Sequence, residues 1–380
     1  MPRVYYLLLI VALSVLCNAQ TFDYIIARET TKVDSVLQNI FTYETFGPKP
    51  IGSVQLEQSK GWLISEYQKM GYNVAIDTFN YNGTECYNLI VEKKGIQPNS
   101  WIIVGAHYDT VEDSPGANDN GTGVVATLQI AKLIKDFDFE YGIRIINFSA
   151  EEPGIGLIGS RHYVKNTLNV NDDVLFMLNL DQLGGTSGAD NSFIKCERDQ
   201  DNNPSGNNAA SYLITDTLAN LVSIYTSLTP VITNAYGSDY IPFQDKGYVI
   251  TGLYQHSDYN NFYHSPRDIT FNVDTDAAKE VIKAALSAVL YFGQYQTKEA
   301  ETNLMRVFPN PAEDWIIVEK SNKKTLRLSY YNRYGQLVKQ QNAYSNNPIS
   351  IKDLSSGFYL IGICGENNTN CFYAKLIIAP

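Results

Sequence analysis

Seven acidic and imidazole side chains sit where apolar runs stop in this 380-residue chain. His107 and Asp109 follow Ile102–Ala106. Asp119 lies in a glycine-rich loop, Pro115 to Gly121, just ahead of a helical stretch. Glu151 and Glu152 end the run Ile143–Ala150, Asp181 ends Leu175–Leu180, and His264 follows a tyrosine-rich loop after Val249–Tyr254. Carboxylates and imidazoles suit zinc or a comparable divalent ion. Two histidines with several carboxylates suffice for two adjacent ions, which can clamp a reacting oxygen from both sides. Taken singly, an acidic group at a strand end is ordinarily solvated or caps a helix. Repetition at independent strand ends argues instead for one site. Glu151-Glu152 is the sharpest case, because adjacent carboxylates repel and neighbours on an extended chain point opposite ways. One can bind metal while the other moves protons.

The elements that must carry these groups read as alternating strands and helices. Tyr72–Phe79 alternates like a half-buried strand, and Asn88–Glu92, Ile102–Ala106, Ile143–Phe148, Leu175–Leu180 and Val249–Tyr254 are continuous apolar runs. Such runs fit strands buried on both faces. Helical spacing appears at Glu29–Phe41, Gln55–Met70, Val124–Ile134, Ile158–Val164, Ala210–Ser227 and Ala277–Tyr295. This alternation predicts an α/β three-layer sandwich with a mostly parallel central sheet, whose ligands gather at the carboxyl ends of the strands. A polar linker is expected at 298–304. Beyond it, short strands with turn residues predict a small all-β sandwich over 305–380.

Composition narrows the function. A hydrophobic share of 44% with 18% charged residues is that of a chain with real cores. The formal charge of −11, from 29 Lys+Arg and 40 Asp+Glu, argues against non-specific nucleic-acid binding. From Met305 onward nine Lys/Arg face five Asp/Glu, a net of +4, which leaves −15 for the first 304 residues. His-Glu-x-x-His, Gly-x-Ser-x-Gly, P-loop and Gly-x-Gly-x-x-Gly motifs are all absent.

Arg3, the apolar run Leu7–Leu16 and small Ala19 read as a secretory signal over 1–19, cut before Gln20. The run is shorter than the roughly 20 residues that span a bilayer, and no later stretch is long and apolar enough. A lipid anchor on Cys17 is the rival reading, opposed by bulky Val15 and Leu16. Cys86, Cys196, Cys364 and Cys371 then allow three pairings. Cys364 and Cys371 flank an apparent hairpin tip and are the expected pair; Cys86 and Cys196 either pair or stay as buried thiols.

His107-Tyr108-Asp109, Pro115–Asp119, Glu151-Glu152-Pro153-Gly154, Asn179-Leu180-Asp181, Ser238–Phe243 and Phe262–Pro266 resemble, in order, motifs of the two-zinc family of secreted bacterial aminopeptidases. The likeness runs from about the first helix to Tyr295. It implies that His107 and Asp181 hold one zinc, Glu152 and His264 the other, and that Asp119 bridges both through a cis peptide to Asn120. It further implies that Asp109 orients the His107 imidazole. Glu151 would be the general base that deprotonates a metal-bridging water and passes the proton to the leaving amine. Other divalent ions such as cobalt or manganese accept similar sites.

Two departures bear on substrate preference. Tyr240 stands where the family commonly has a histidine, and Tyr236 is the candidate for stabilising the substrate carbonyl. His256 is expected to line the substrate pocket and His162 to serve packing. Within the fold, the alternative is a glutaminyl cyclase using one zinc; outside it, a catalytically inactive surface adhesin.

Val307–Ala312, Tyr334–Val338, Leu354–Tyr359 and Lys375–Ile377 resemble the C-terminal sorting domain of the type IX secretion system of certain Gram-negative bacteria. An accessory carbohydrate-binding or adhesion sandwich is the alternative. The resulting expectation is a secreted or cell-surface monomer whose partners are peptide substrates and the secretion machinery.

Overall fold

The computed structural model describes residues 25–256, 262–296, 306–310, 312–319, 325–332, 336–365 and 371–378. The expected signal segment with Cys17 and the expected linker 298–304 lie outside them.

Tyr24–Gln296 form one compact unit. Its strands are β1 (Val74–Tyr81), β2 (Thr84–Lys93), β3 (Ser100–His107), β4 (Asp138–Phe139), β5 (Gly142–Phe148), β6 (Asp173–Asp181), β7 (Phe193–Arg198), β8 (Thr229–Asn234), β9 (Ile250–Gln255) and the two-residue β10 (Tyr295–Gln296), which pairs with β4. The large sheet runs β1-β2-β5-β3-β6-β9-β7-β8. Its centre, β5-β3-β6-β9, is parallel, while the β1–β2 hairpin joins one side antiparallel and β7 joins β9 antiparallel on the other.

The helices are α1 (Val36–Glu44), α2 (Val54–Lys69), α3 (Gly121–Ile134), α4 (Ile158–His162), α5 (Asn208–Tyr225), α6 (Ile241–Gln244) and α7 (Thr275–Gly293). Helices α3 and α7 pack on β3 and β5, and α5 packs on β7, β8 and β9. Opposite them, Phe243 of α6 and Tyr163, just after α4, join Ile103, Phe148, Met177 and Ile250 in one apolar cluster. Alternate residues of β3 therefore serve opposite layers, and Ile102, Ile103 and Val104 are all fully buried. That is why the central strands read as unbroken apolar runs. Among the described residues no helix is long and apolar enough to cross a membrane.

Two strands escape the sequence pattern. β7 buries only Ile194, Cys196 and Glu197, and β8, an edge strand, buries none of its residues and carries Pro230. An edge needs no apolar run, and proline is tolerated there. The expected helix over Ile158–Val164 ends at His162, where a wider turn takes over to Thr167.

In the second unit, β11 (Arg306–Phe308), β12 (Trp315–Glu319) and β15 (Pro348–Ser350) form one antiparallel sheet. β13 (Thr325–Asn332), β14 (Leu337–Tyr344), β16 (Gly357–Gly365) and β17 (Cys371–Ile378) form another. Ile316 and Val318 of the first share a core with Leu328, Tyr330, Ile361 and Leu376 of the second. The register sets Cys364 opposite Cys371, and Cys364 is disulfide-bonded. Cys86 and Cys196 are buried free thiols.

Candidate metal centre

The parallel centre of the sheet brings its carboxyl ends to one edge. His107 closes β3 beside Phe148 of β5, and Asp181 closes β6 beside Tyr254 of β9. Glu151 and Glu152 leave β5 after Ala150, and His264 comes from the loop beyond β9. Ala150, Gln182 and His264 have φ of 59°, 49° and 54°. Left-handed backbone costs a non-glycine residue roughly 1–2 kcal/mol. Each such residue is, or adjoins, a candidate ligand, where the chain must turn sharply to aim a side chain inward.

Asp119 arrives from the loop before α3. Asn120 caps that helix by accepting the Gly123 N–H, and its own amide donates to Leu180 O at 2.9 Å. A Cβ on Gly123 would meet Asn120 Oδ1 and Leu180 O at 2.4 Å. Glycine there lets the start of α3 abut the end of β6, which sets Asp119 beside Asp181. The Asp119–Asn120 peptide is cis.

His107 Nε2 lies 3.3 Å from Asp119 Oδ1 and 3.5 Å from Asp181 Oδ1. His264 Nε2 lies 2.9 Å from Glu152 Oε2 and 3.4 Å from Asp119 Oδ2. The two oxygens of Asp119 thus face different imidazoles. Ligand atoms of His107, Asp119 and Asp181 lie within 4.8 Å of one another, as do those of Asp119, Glu152 and His264. A third grouping joins His107 with Glu151 and Glu152.

These residues fit a divalent cation. Asp181 Oδ1 and Glu152 Oε1 are buried without a hydrogen bond. Orphaned buried polar atoms are costly, and here both belong to carboxylates beside imidazole nitrogens, the donor types that bind zinc. His107 Nδ1 lies 3.2 Å from the Asp109 main-chain oxygen. A carbonyl only accepts, so Nδ1 carries a proton and Nε2 is the atom offered to an ion.

Without a cation the cluster is held by protons. Burial opposes a charged His107, but Glu151, Asp119 and Asp181 outweigh it and raise its pKa well above the ordinary value. His264 is likewise opposed by burial yet raised to about 9 by Asp119 and Glu152. Burial pushes Glu151 well up and Glu152 to about 7. An arriving cation would displace these protons, the usual linkage of metal binding to pH.

Residues 88–289 match the family model described as Peptidase family M28. The chain belongs to that family. Residues 306–379 match the Secretion system C-terminal sorting domain. A probable leucine aminopeptidase 2 of Aspergillus fumigatus is 37% identical over 144 residues, 37% of this chain and 28% of the relative. The chain spans about a quarter to a half of the length of the curated relatives it matches. Among solved structures, BSAP, a zinc aminopeptidase from Bacillus subtilis, superposes with TM-score 0.61 at 17% identity, covering 71% of this chain and 96% of that one. A glutaminyl cyclase from Bacteroides thetaiotaomicron reaches 0.58 at 18%, covering 68% and 97%. The fold is common to both chemistries.

The surrounding residues differ in part from expectation. Asp109 contacts His107 through its main-chain carbonyl, while its carboxylate is 3.9 Å away and instead accepts the Glu151 and Glu152 N–H groups at 3.1 and 3.2 Å. The expected imidazole partner is therefore chiefly a clamp on the twin glutamates. Tyr236 and Ser238 donate to Asp181 Oδ2 at 2.9 and 2.8 Å, which leaves Oδ1 facing inward. Tyr240 is fully buried; it donates to Glu197 at 2.7 Å and accepts the Tyr236 N–H. It is a core residue. His256 is exposed beside Phe193 at 5.3 Å and is not one of the residues of the three groupings. His162 stacks on Phe79 and bonds Asp77, as packing requires.

Sequence reasoning passed over Asp239 and Asp268. Asp239 is fully buried, raised to about 7 chiefly by burial, and its charge bears on Glu151. Its one signal was its place in Ser238–Phe243. Asp268 binds the Asp119 loop, and nothing local in the sequence marks that.

Proposed function

We propose that the chain is an exported aminopeptidase holding two zinc ions, one by His107 and Asp181, one by Glu152 and His264, with Asp119 shared. The observation that carries this reading is the pair of ligand triads meeting at the two oxygens of Asp119. Family membership and the N/O donor set support it. Zinc there would polarise a peptide carbonyl and make water more acidic.

The chain's own residues do the rest. Glu151, buried and clamped at its N–H by Asp109, accepts the proton of the attacking water and returns it to the departing amine as the C–N bond breaks and a C–O bond forms. Tyr236 and Ser238 fix Asp181 by donating to its Oδ2. Retention of every ligand for two metals, His107, Asp119, Glu152, Asp181 and His264, favours two ions over the single zinc of the cyclase reading. The C-terminal sorting domain supports delivery to the cell surface or medium of a Gram-negative bacterium, with the secretion machinery as partner.

The test is purified protein assayed on a panel of aminoacyl anilides and on an N-glutaminyl peptide, with metal content measured alongside. Amine release with two divalent ions per chain is expected. No hydrolysis by folded, zinc-replete protein would revive the inactive adhesin, and one ion with cyclisation would establish the cyclase.

A further inference from the structure

We propose that Asp268 is a positioning residue that fixes Asp119 and His264 relative to each other before any ion arrives; this rests on the ligand reading above. Asp268 is 1% exposed, and it grips three successive amides of the Asp119 loop. Its main-chain oxygen accepts the Ala117 N–H at 3.0 Å. Its Oδ1 accepts the Asn118 N–H at 2.8 Å and its Oδ2 the Asp119 N–H at 3.0 Å. On its other side, the Asp268 N–H donates to Ser265 O at 3.0 Å, and the Ser265 N–H donates to Phe262 O at 3.2 Å. These bonds bracket His264. One residue thus joins the turn that carries His264 to the loop that carries Asp119.

The loop is held from behind as well. Lys49 is fully buried and its Nζ donates to Gly47 O at 2.8 Å and Pro115 O at 2.6 Å. Asn118 spans to the sheet, accepting the Gly184 N–H at 2.9 Å and donating to Gln255 at 2.7 Å. A carboxylate is the side chain that can take two amide donors at once, and charge strengthens both bonds. Asparagine offers one acceptor and turns its NH₂ against the remaining N–H.

The geometry makes the consequence unequal. In the triad of Asp119, Glu152 and His264, two of three ligands depend on the clasp. In the triad of His107, Asp119 and Asp181, the other two ligands sit on β3 and β6 and owe it nothing. Loss of the clasp should loosen one ion more than the other.

The experiment is Asp268→Asn in the full chain, stripped of metal and titrated with zinc against a chelator of known affinity. Alongside it, hydrogen exchange is followed in the metal-free wild type. Second-layer partners typically carry 10–100-fold in metal affinity. One of two ions should weaken by about that factor with the other within a few-fold, at unchanged circular dichroism. The Asn118 and Asp119 amides should be protected in metal-free wild type. Wild-type affinity at both sites in the variant, equal weakening of both ions, or open-loop exchange of those amides in metal-free wild type would each overturn the proposal. If the variant does not fold, the wild-type exchange decides alone. If wild type takes up no divalent ion, the functional reading fails, and the exchange result still judges the clasp.

Discussion

Replacing Glu151 by glutamine separates proton transfer from metal binding. The side chain keeps its shape, and its main-chain N–H keeps the bond to Asp109 Oδ1 at 3.1 Å, so the local backbone has no reason to move. Neither Asp119-containing triad includes Glu151, so both ions should remain. What disappears is the ability to accept a proton. General acid–base catalysis is worth about 10²–10⁴-fold, or about 3–5 kcal/mol of barrier at 1.36 kcal/mol per decade. Burial first, then the charges of Asp239, Asp181 and Glu152, hold the Glu151 pKa up, so in the metal-free protein glutamine replaces a protonated carboxyl of the same shape and should cost little stability. Steady-state kinetics on an aminoacyl anilide should show kcat falling by two to four decades with KM nearly unchanged, the pattern of lost transition-state help. Elemental analysis of the same sample should find the wild-type metal content. If Glu151→Gln sheds an ion while Glu152→Gln keeps both, the roles are reversed. If hydrolysis is unaffected, the reaction centre lies elsewhere.

Other outcomes follow from the same geometry. Metal-replete protein should contain two divalent ions per chain by elemental analysis, and a firm value of one would contradict the sharing of Asp119. A chain ending near Asn303 should keep hydrolytic activity in vitro yet stay in the periplasm of its host; normal release would remove the sorting role from Met305–Pro380. Burial raises Glu197 from 4.5 to about 8, so the unfolded chain ionises first and stability falls as pH rises between those values. Glu197→Gln should therefore be neutral near pH 4.5 and stabilising by a few kcal/mol at pH 8 and above, at roughly 1.4 kcal/mol per pKa unit, in denaturant melts. A gain independent of pH would sink this account.

Apolar patterning was enough to fix the layered architecture of the Tyr24–Gln296 unit, because strands covered on both faces must be apolar at every position and helices at every third or fourth. It also placed His107, Glu151, Glu152 and Asp181 at or just past strand ends, where a parallel sheet gathers ligands, with Asp119 in the loop before a helix and His264 in the loop after a strand, and it marked the C-terminal strands. The rest depended on contacts that exist only in the folded chain. β8 declared itself through pairing with β7 and not through any apolar run, since an edge strand buries little. Tyr240, read as a departure near the substrate, turned inward because Gly252 leaves room for its ring and Glu197 waits for its hydroxyl. Asp109 directs its carboxylate to two amides 42 and 43 residues away, and Asp268 reaches amides 149 and 150 residues away. Main-chain donors are the same at every residue but proline, so a side chain that recognises them leaves no partner to find in the sequence. Such contacts exist only once the chain has folded and brought distant backbone within about 3 Å.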